Sequence, residues 1–296
     1  MGERNREMRT LLISPILLAV GLLFFSKPIV AEEESLYSQL NKAVIRLEHS
    51  EQILLEGADN VYGLGTAFFV HSAGQLFVVT AGHIPKDAMK NHYDMHARVQ
   101  VKNEKTGNNE VISLKLPTSR WLHHPQEDVD VAAMRLGKIV ERKPTAFRYE
   151  PQTSHESSEN QLPYVDTEPP TSILVFGFPL DLGFKLSEQR PLGRLGIVAM
   201  QTGKKFLKID DKFTDERAYL IDARIFPGNS GSPIINHSRP LLDPGIELLG
   251  IVIATNSALD FAVAEPTSRI RETLDAAKNQ DIRGFDCWYH LDPISQ

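Results

Sequence analysis

The sequence predicts an all-β fold, on three observations. Short runs rich in β-branched and aromatic residues recur along the chain, each bounded by clusters of Gly, Pro, Asn and Asp. Only two stretches carry apolar residues at helical spacing. No internal repeat shows at a fixed period.

Strands are expected at 43–48, 66–70, 76–80, 97–102, 111–115, 130–136, 172–176, 196–201, 218–224, 233–236, 248–253 and 260–264. The second and third should pair through a turn at Ser72-Ala73-Gly74. The glycine-rich Gly63-Leu64-Gly65 that opens this hairpin is not a dinucleotide loop, because a third glycine and a following helix pattern are both missing. Helices are expected at 34–43 and at 267–278, the latter with Ile270, Leu274 and Ala277 on one face. The polar, proline-bearing stretch 150–170 reads as a solvated linker, and Lys204 to Glu216 as a surface hairpin flanking a cleft.

Three stretches carry the chemistry. Pro227-Gly228-Asn229-Ser230-Gly231-Ser232-Pro233 sets a serine between two glycines. Glycines permit a tight turn that exposes the hydroxyl and aims backbone N–H groups at one point beside it. A serine hydroxyl is a poor nucleophile at neutral pH and needs a neutral imidazole to take its proton. Thr80-Ala81-Gly82-His83, after the apolar Leu76-Phe77-Val78-Val79, supplies a histidine at a strand end. Asp130-Val131-Ala132-Ala133-Met134-Arg135-Leu136 supplies an acid to hold that histidine. The chain order histidine, aspartate, serine differs from that of subtilisins and α/β-hydrolases. Asp128 is the rival acid, since residues two apart on a strand point the same way.

Together these motifs resemble those of the chymotrypsin-like (trypsin-fold) serine peptidases, most closely the Deg/HtrA-type and glutamyl-endopeptidase branches. Those branches write the nucleophile Gly-Asn-Ser-Gly, the base Thr-Ala-x-His and the acid Asp-Ile/Val-Ala-x-x-x-Leu. Gly63-Leu64-Gly65-Thr66-Ala67-Phe68 resembles their Gly-x-Gly-Ser/Thr-x-Phe strand, and Val175-Phe176-Gly177-Phe178-Pro179 their Val-x-Gly-Tyr/Phe-Pro element. Phe261-Ala262-Val263-Ala264-Glu265-Pro266 resembles their closing Phe-Ala-Ile-Pro segment, with Ala264-Glu265 in place of a shorter link.

The resemblance implies two antiparallel six-stranded β-barrels with the active site between them and a C-terminal helix. The expected division is 32–149 for the barrel carrying His83 and Asp130, 150–170 for the linker, 171–266 for the barrel carrying Ser230, and 267–296 for the helix and tail. It implies Ser230 as nucleophile, His83 as general base and Asp130 as its orienter, Asp130 matching the family's register better than Asp128. The oxyanion hole would come from the loop Gly228, Asn229 and Ser230, through the backbone N–H groups of Gly228 and Ser230. The strand bearing Ile253, Ala254 and Thr255 would line the substrate cleft. Arg224 takes the place at the base of the primary pocket, where an inward side chain would favour an acidic residue and an outward one would leave the pocket apolar. Asn229 replaces the aspartate that pairs with a new N-terminus in animal trypsins, so activation by such cleavage is not expected. No PDZ domain is expected after the last strand, where about thirty residues follow against the roughly ninety such a domain needs.

Two rival readings stand beside the peptidase. A catalytically latent or inactive binding protein could share the fold. An esterase would be expected to carry a Gly-x-Ser-x-Gly elbow, which Gly228-Asn229-Ser230-Gly231-Ser232 does not match.

The net charge of −6 argues against a nucleic-acid surface and leaves protein or peptide substrates as the expected partners. Arg4, Arg6 and Arg9 precede an apolar run from Leu11 to Phe25, and Ile29-Val30-Ala31 offers a cleavage site, so residues 1–31 read as an export signal. The run is shorter than the roughly 20 residues of a spanning helix, with an uncleaved anchor as the alternative. A periplasmic or secreted protein is expected. Cys287 stands alone, so no intramolecular disulfide forms and burial is its expected role. No cofactor and no metal are expected. His92 and His96 sit four apart in a polar loop, without a third ligand at suggestive spacing.

Overall fold

The computed structural model describes residues 36–50, 61–103, 109–136, 142–143, 147–149, 169–179, 184–185, 188–202, 208–209, 212–213, 218–238, 247–256, 260–278 and 288–289. All of these belong to one unit, Leu36–Gln296. The expected export signal, nearly all of the linker, and Cys287 lie outside the described residues.

A short helix α1 (Leu36–Ala43) leads into seven strands of the first half. These are β1 (Val44–Ser50), β2 (Val61–Ser72), β3 (Gln75–Ala81), β4 (Met95–Asn103), β5 (Asn109–Lys115), β6 (Leu122–His123) and β7 (Val131–Arg135). They lie in the order β5-β4-β1-β2-β3-β7-β6, with Trp288–Tyr289 of the tail added outside β5. Arg142–Lys143 pairs with β4, and Phe147–Tyr149 runs parallel to β2. This is a curled sheet whose path stays open among the described residues. β2 and β3 pair through the turn Ala73-Gly74, as expected. Phe77, Val78 and Val79 are all buried. Neighbouring residues on a strand face opposite ways, so β3 is covered on both sides, and this is why its sequence is a continuous apolar run.

The second half closes fully. β8 (Thr171–Gly177), β9 (Leu192–Gln201), β10 (Tyr219–Asp222), β11 (Pro233–Asn236), β12 (Leu248–Asn256) and β13 (Phe261–Pro266) form a six-stranded antiparallel barrel in the order β8-β9-β10-β13-β12-β11. Its interior is filled by Ile173, Val175, Val198, Tyr219, Ile221 and Val252, among others. The architecture is the chymotrypsin-like double barrel, its first half not closed among the described residues. The expected hairpin at Lys204–Glu216 is present as Lys208–Ile209 paired with Lys212–Phe213.

A second apolar cluster is continuous from the first sheet into Phe176, Phe178, Ile251 and Val263 of the closed barrel. It also takes in Ile270, Leu274 and Ala277 of the C-terminal helix α3 (Thr267–Ala277). Full burial of one such large side chain is worth about 1.5–3 kcal/mol, so this shared core holds the two halves in register. One helix was not expected. His83–Lys90 forms α2, with Pro85 tolerated in its first turn and Ile84, Pro85 and Ala88 buried. Eight residues are too few for helical periodicity to show in a sequence window.

Candidate active site

The pairing of β3 with β7 decides where the expected base and its acid meet. Ala81 lies opposite Val131 in this antiparallel pair. The next residue out of β3, Gly82, therefore faces the residue before β7, Asp130, and the Gly82 N–H donates to the Asp130 carbonyl at 3.0 Å. His83 then opens α2, and its Nδ1 lies 2.6 Å from Asp130 Oδ2. Asp128 is exposed. Burial pushes the His83 pKa down, but the hydrogen bond to Asp130 and the Asp130 charge, helped by Asp87, outweigh it. The net position is above the ordinary histidine value.

Ser230 sits in a loop shaped by backbone conformation. Phe226-Pro227-Gly228-Asn229 makes a turn closed by the Asn229 N–H on the Phe226 carbonyl at 3.0 Å. Pro at the second position and Gly228 at φ 95° in the third match a type II turn, which turns the central peptide over relative to type I. Gly231 follows Ser230 at φ 86°, and a side-chain carbon there would come within 1.9 Å of the Thr66 carbonyl. Only glycine fits that position. The Gly231 N–H donates to Val252 O at 2.7 Å and the Ser232 N–H to Asn229 O at 2.9 Å. Among the described residues, the N–H groups of Gly228 and Ser230 have no protein acceptor. Asn229 is 1 % exposed and its own N–H is committed inside the turn, so it is a spacer between the two open donors rather than a third donor.

Thr66 of β2 grips this loop from the other half of the molecule. Its N–H donates to the Ser230 carbonyl at 2.8 Å and its Oγ1 to the Gly228 carbonyl at 2.7 Å. The same Oγ1 accepts the Phe178 N–H at 3.1 Å. Thr80 Oγ1 donates to the Thr66 carbonyl at 2.7 Å, which gives the threonine of the Thr-Ala-Gly-His run a structural task. The adjacent Gly65 brings the two sides together. A side-chain carbon on it would meet Ile84 Cδ1 at 2.5 Å and the Ser230 carbonyl at 3.0 Å. The residue after His83 and the backbone of Ser230 thus flank a single glycine.

Beside the loop, β12 has an edge that is unpaired among the described residues. Its pairing with β11 ends at Ile251, and Val252 bonds to Gly231 and Ser232. Beyond it, Ala254 to Asn256 pair with β13 on one side only among the described residues. Ile253 is buried, Ala254 half-buried and Thr255 exposed. Arg224 is exposed, as a solvated arginine would be. Nearby, Arg194 of β9 stacks over the Phe226 ring at 4.8 Å, a contact that no sequence pattern announced.

The acid side holds a further surprise. Glu265 on β13 is 2 % exposed, and its Oε1 accepts the Asp130 N–H at 3.3 Å. Burial, with Asp130, Asp128 and Glu272 adding like charge, outweighs that hydrogen bond and pushes its pKa up to about 8. The residue stood out in the sequence as a departure from the closing segment of similar chains, but without a partner. Behind it, buried His124 accepts the Gln126 N–H on Nδ1 and so donates from Nε2 to Glu272 Oε2 at 2.8 Å. This ties the loop before Asp130 to α3.

The histidines weighed as metal ligands do not share a helix: His92 is an exposed turn residue at φ 59° and His96 is buried on β4. Among the described residues, no three metal-binding side chains are grouped to hold an ion.

No curated protein matches the chain. Two solved structures that it resembles are forms of the Rv3671c protease. The active form, from M. tuberculosis, is 16 % identical with a TM-score of 0.44, covering 94 % of this chain and 95 % of that one. The inactive form is 13 % identical with a TM-score of 0.44, covering 81 % and 90 %. The family model described as "Trypsin-like peptidase domain" matches residues 65–242, which run from the Thr66 strand through His83 and Asp130 to the Ser230 loop and β11. The chain belongs to the trypsin-like peptidase family.

Proposed function

We propose that this protein is an exported serine endopeptidase that cleaves peptide bonds through an acyl-enzyme. One observation carries the reading: the His83–Asp130 hydrogen bond stands across Gly65 from a Ser230 loop with two uncommitted N–H donors. In the proposed reaction His83 Nε2 takes the Ser230 proton as Oγ attacks the scissile carbonyl. Asp130 fixes the tautomer and stabilises the imidazolium. The Gly228 and Ser230 N–H groups receive the oxyanion, and one such donor is worth about 3–4 kcal/mol where measured. Collapse expels the amine, which takes the proton back from His83. Water, deprotonated by the same imidazole, then releases the acyl group and restores Ser230.

The open β12 edge at Ala254 and Thr255, with Ile253 behind it, suits backbone pairing with an extended peptide. Exposed Arg224 gives no support to an acidic preference, so the primary pocket is proposed to be apolar. The basic and apolar N-terminal run supports export to the periplasm or outside the cell.

The test is reaction of the purified full chain with a fluorophosphonate, beside Ser230→Ala and His83→Ala. Labelling that requires both residues is expected. A folded protein that takes no label points to a latent or inactive binding protein instead.

A further inference from the structure

Asp130 is held by two segments besides its hydrogen bond to His83. Its carbonyl accepts from Gly82 in the first half, and its N–H donates to Glu265 in the closed barrel. The second contact crosses between the halves. It also orients the peptide from which the Asp130 side chain leaves for the imidazole. A buried carboxyl is costly unless hydrogen-bonded and uncharged, so its presence at this junction calls for a task. The groups facing Glu265 deepen the cost. Asp130 and Asp128 approach from the loop before β7, and Glu272 from α3, where Arg269 and His124 are both bonded to Glu272. On β12, its strand partner is apolar Ile251.

We propose that Glu265 is a positioning residue for the Asp130–His83 pair: a buried carboxyl behind Asp130 that accepts its backbone N–H and so aims the Asp130 carboxylate at the imidazole. The assignment rests on His83 and Asp130 being the base and its orienter. Below about pH 8 the carboxyl keeps its proton and does not compete with Asp130 for the imidazole's positive charge. Above that, a second negative charge arises beside Asp130 in a buried place. This perturbs the hydrogen bond that Asp130 makes to His83.

The experiment uses ¹⁵N-histidine-labelled full chain in the Ser230→Ala background, so that no turnover is needed. The His83 ring nitrogens are followed by NMR across the pH range, with the wild-type residue, Gln and Leu at position 265. The expected result is a second inflection in the His83 signal near pH 8 in the parent. Glu265→Gln, which keeps an acceptor but cannot ionise, should lose that inflection and keep the Nδ1–H signal of the parent at neutral pH. Glu265→Leu should move the His83 pKa down towards its ordinary value. With Ser230 restored, Leu should lower kcat by roughly ten- to a hundredfold at similar KM, and Gln should rescue it. If the Leu variant does not fold, the Gln variant decides. No inflection in the parent, or the same inflection in the Gln variant, overturns the proposal. Loss of fluorophosphonate labelling with the His83 response intact would overturn the peptidase reading and with it the assignment, whereas a lost His83 response with labelling intact would overturn the assignment alone.

Discussion

The two halves of the molecule build their share of the site by different means. The first half works through side chains: strand ends at Ala81 and Val131 bring His83 to 2.6 Å from Asp130. The second works through backbone: two left-handed glycines, Gly228 and Gly231, fold the loop that carries Ser230. Side-chain geometry tolerates an open, irregular sheet, because a register and one hydrogen bond fix it. Backbone geometry does not, and that loop is rooted in the closed barrel through Val252. The two halves should therefore fail differently.

The largest effect is expected in the first half. Asp130→Asn should cut kcat by about four orders of magnitude while the fold survives, as the handling of the imidazole tautomer is lost. It should also move the acid limb of the pH profile. His83 must be neutral to act as base, and Asp130 raises its pKa, so removing that charge shifts the limb to lower pH. A limb that does not move would mean that Asp130 is not the group acting on His83.

A smaller loss of rate, but one coupled to structure, is expected in the second half. Gly231→Ala forces a left-handed residue into the Thr66 carbonyl, so fluorophosphonate labelling should fall by about two to three orders of magnitude with a lowered melting temperature. Normal labelling would show that the loop adapts, and would erase the contrast. The smallest effect belongs to the bridge. Thr66→Val removes the Oγ1 donor to Gly228 and the acceptor for Phe178, while its N–H on Ser230 stays. Stability should fall by about 1–3 kcal/mol and labelling by roughly tenfold, read by denaturant melts and labelling rates.

Much of this was legible in the sequence. β11 was bounded as found, and α3 to within one residue, because apolar periodicity and Pro266 mark their limits. His83, Asp130 and Ser230 lie in short motifs whose residue types the proposed chemistry requires. The backbone neighbours of the loop were not legible. Thr66 reads as an ordinary strand residue, and its grip on Gly228 depends on tertiary contact alone. Glu265 looked like a link residue because nothing local predicts burial of a carboxyl. α2 was hidden by its brevity. Alternation alone would set Asp128 and Asp130 on one face, but β7 begins at Val131 and Asp128 lies in the turn before it, so the pairing of Ala81 with Val131 brings Asp130 rather than Asp128 to His83.

The edge that β12 leaves unpaired among the described residues would, on the proposed reading, limit what can be cut. A chain that adds itself to Ala254–Asn256 must be extended over several residues, with its own backbone groups free. A folded protein has those groups committed, and freeing them costs local unfolding. On the proposed reading, recognition would be of conformation before composition: well-folded neighbours would be spared, and the same protein would become vulnerable once a segment worked loose. Such a protease would act as a reader of structural damage, with stability of the target setting the rate at which it is destroyed.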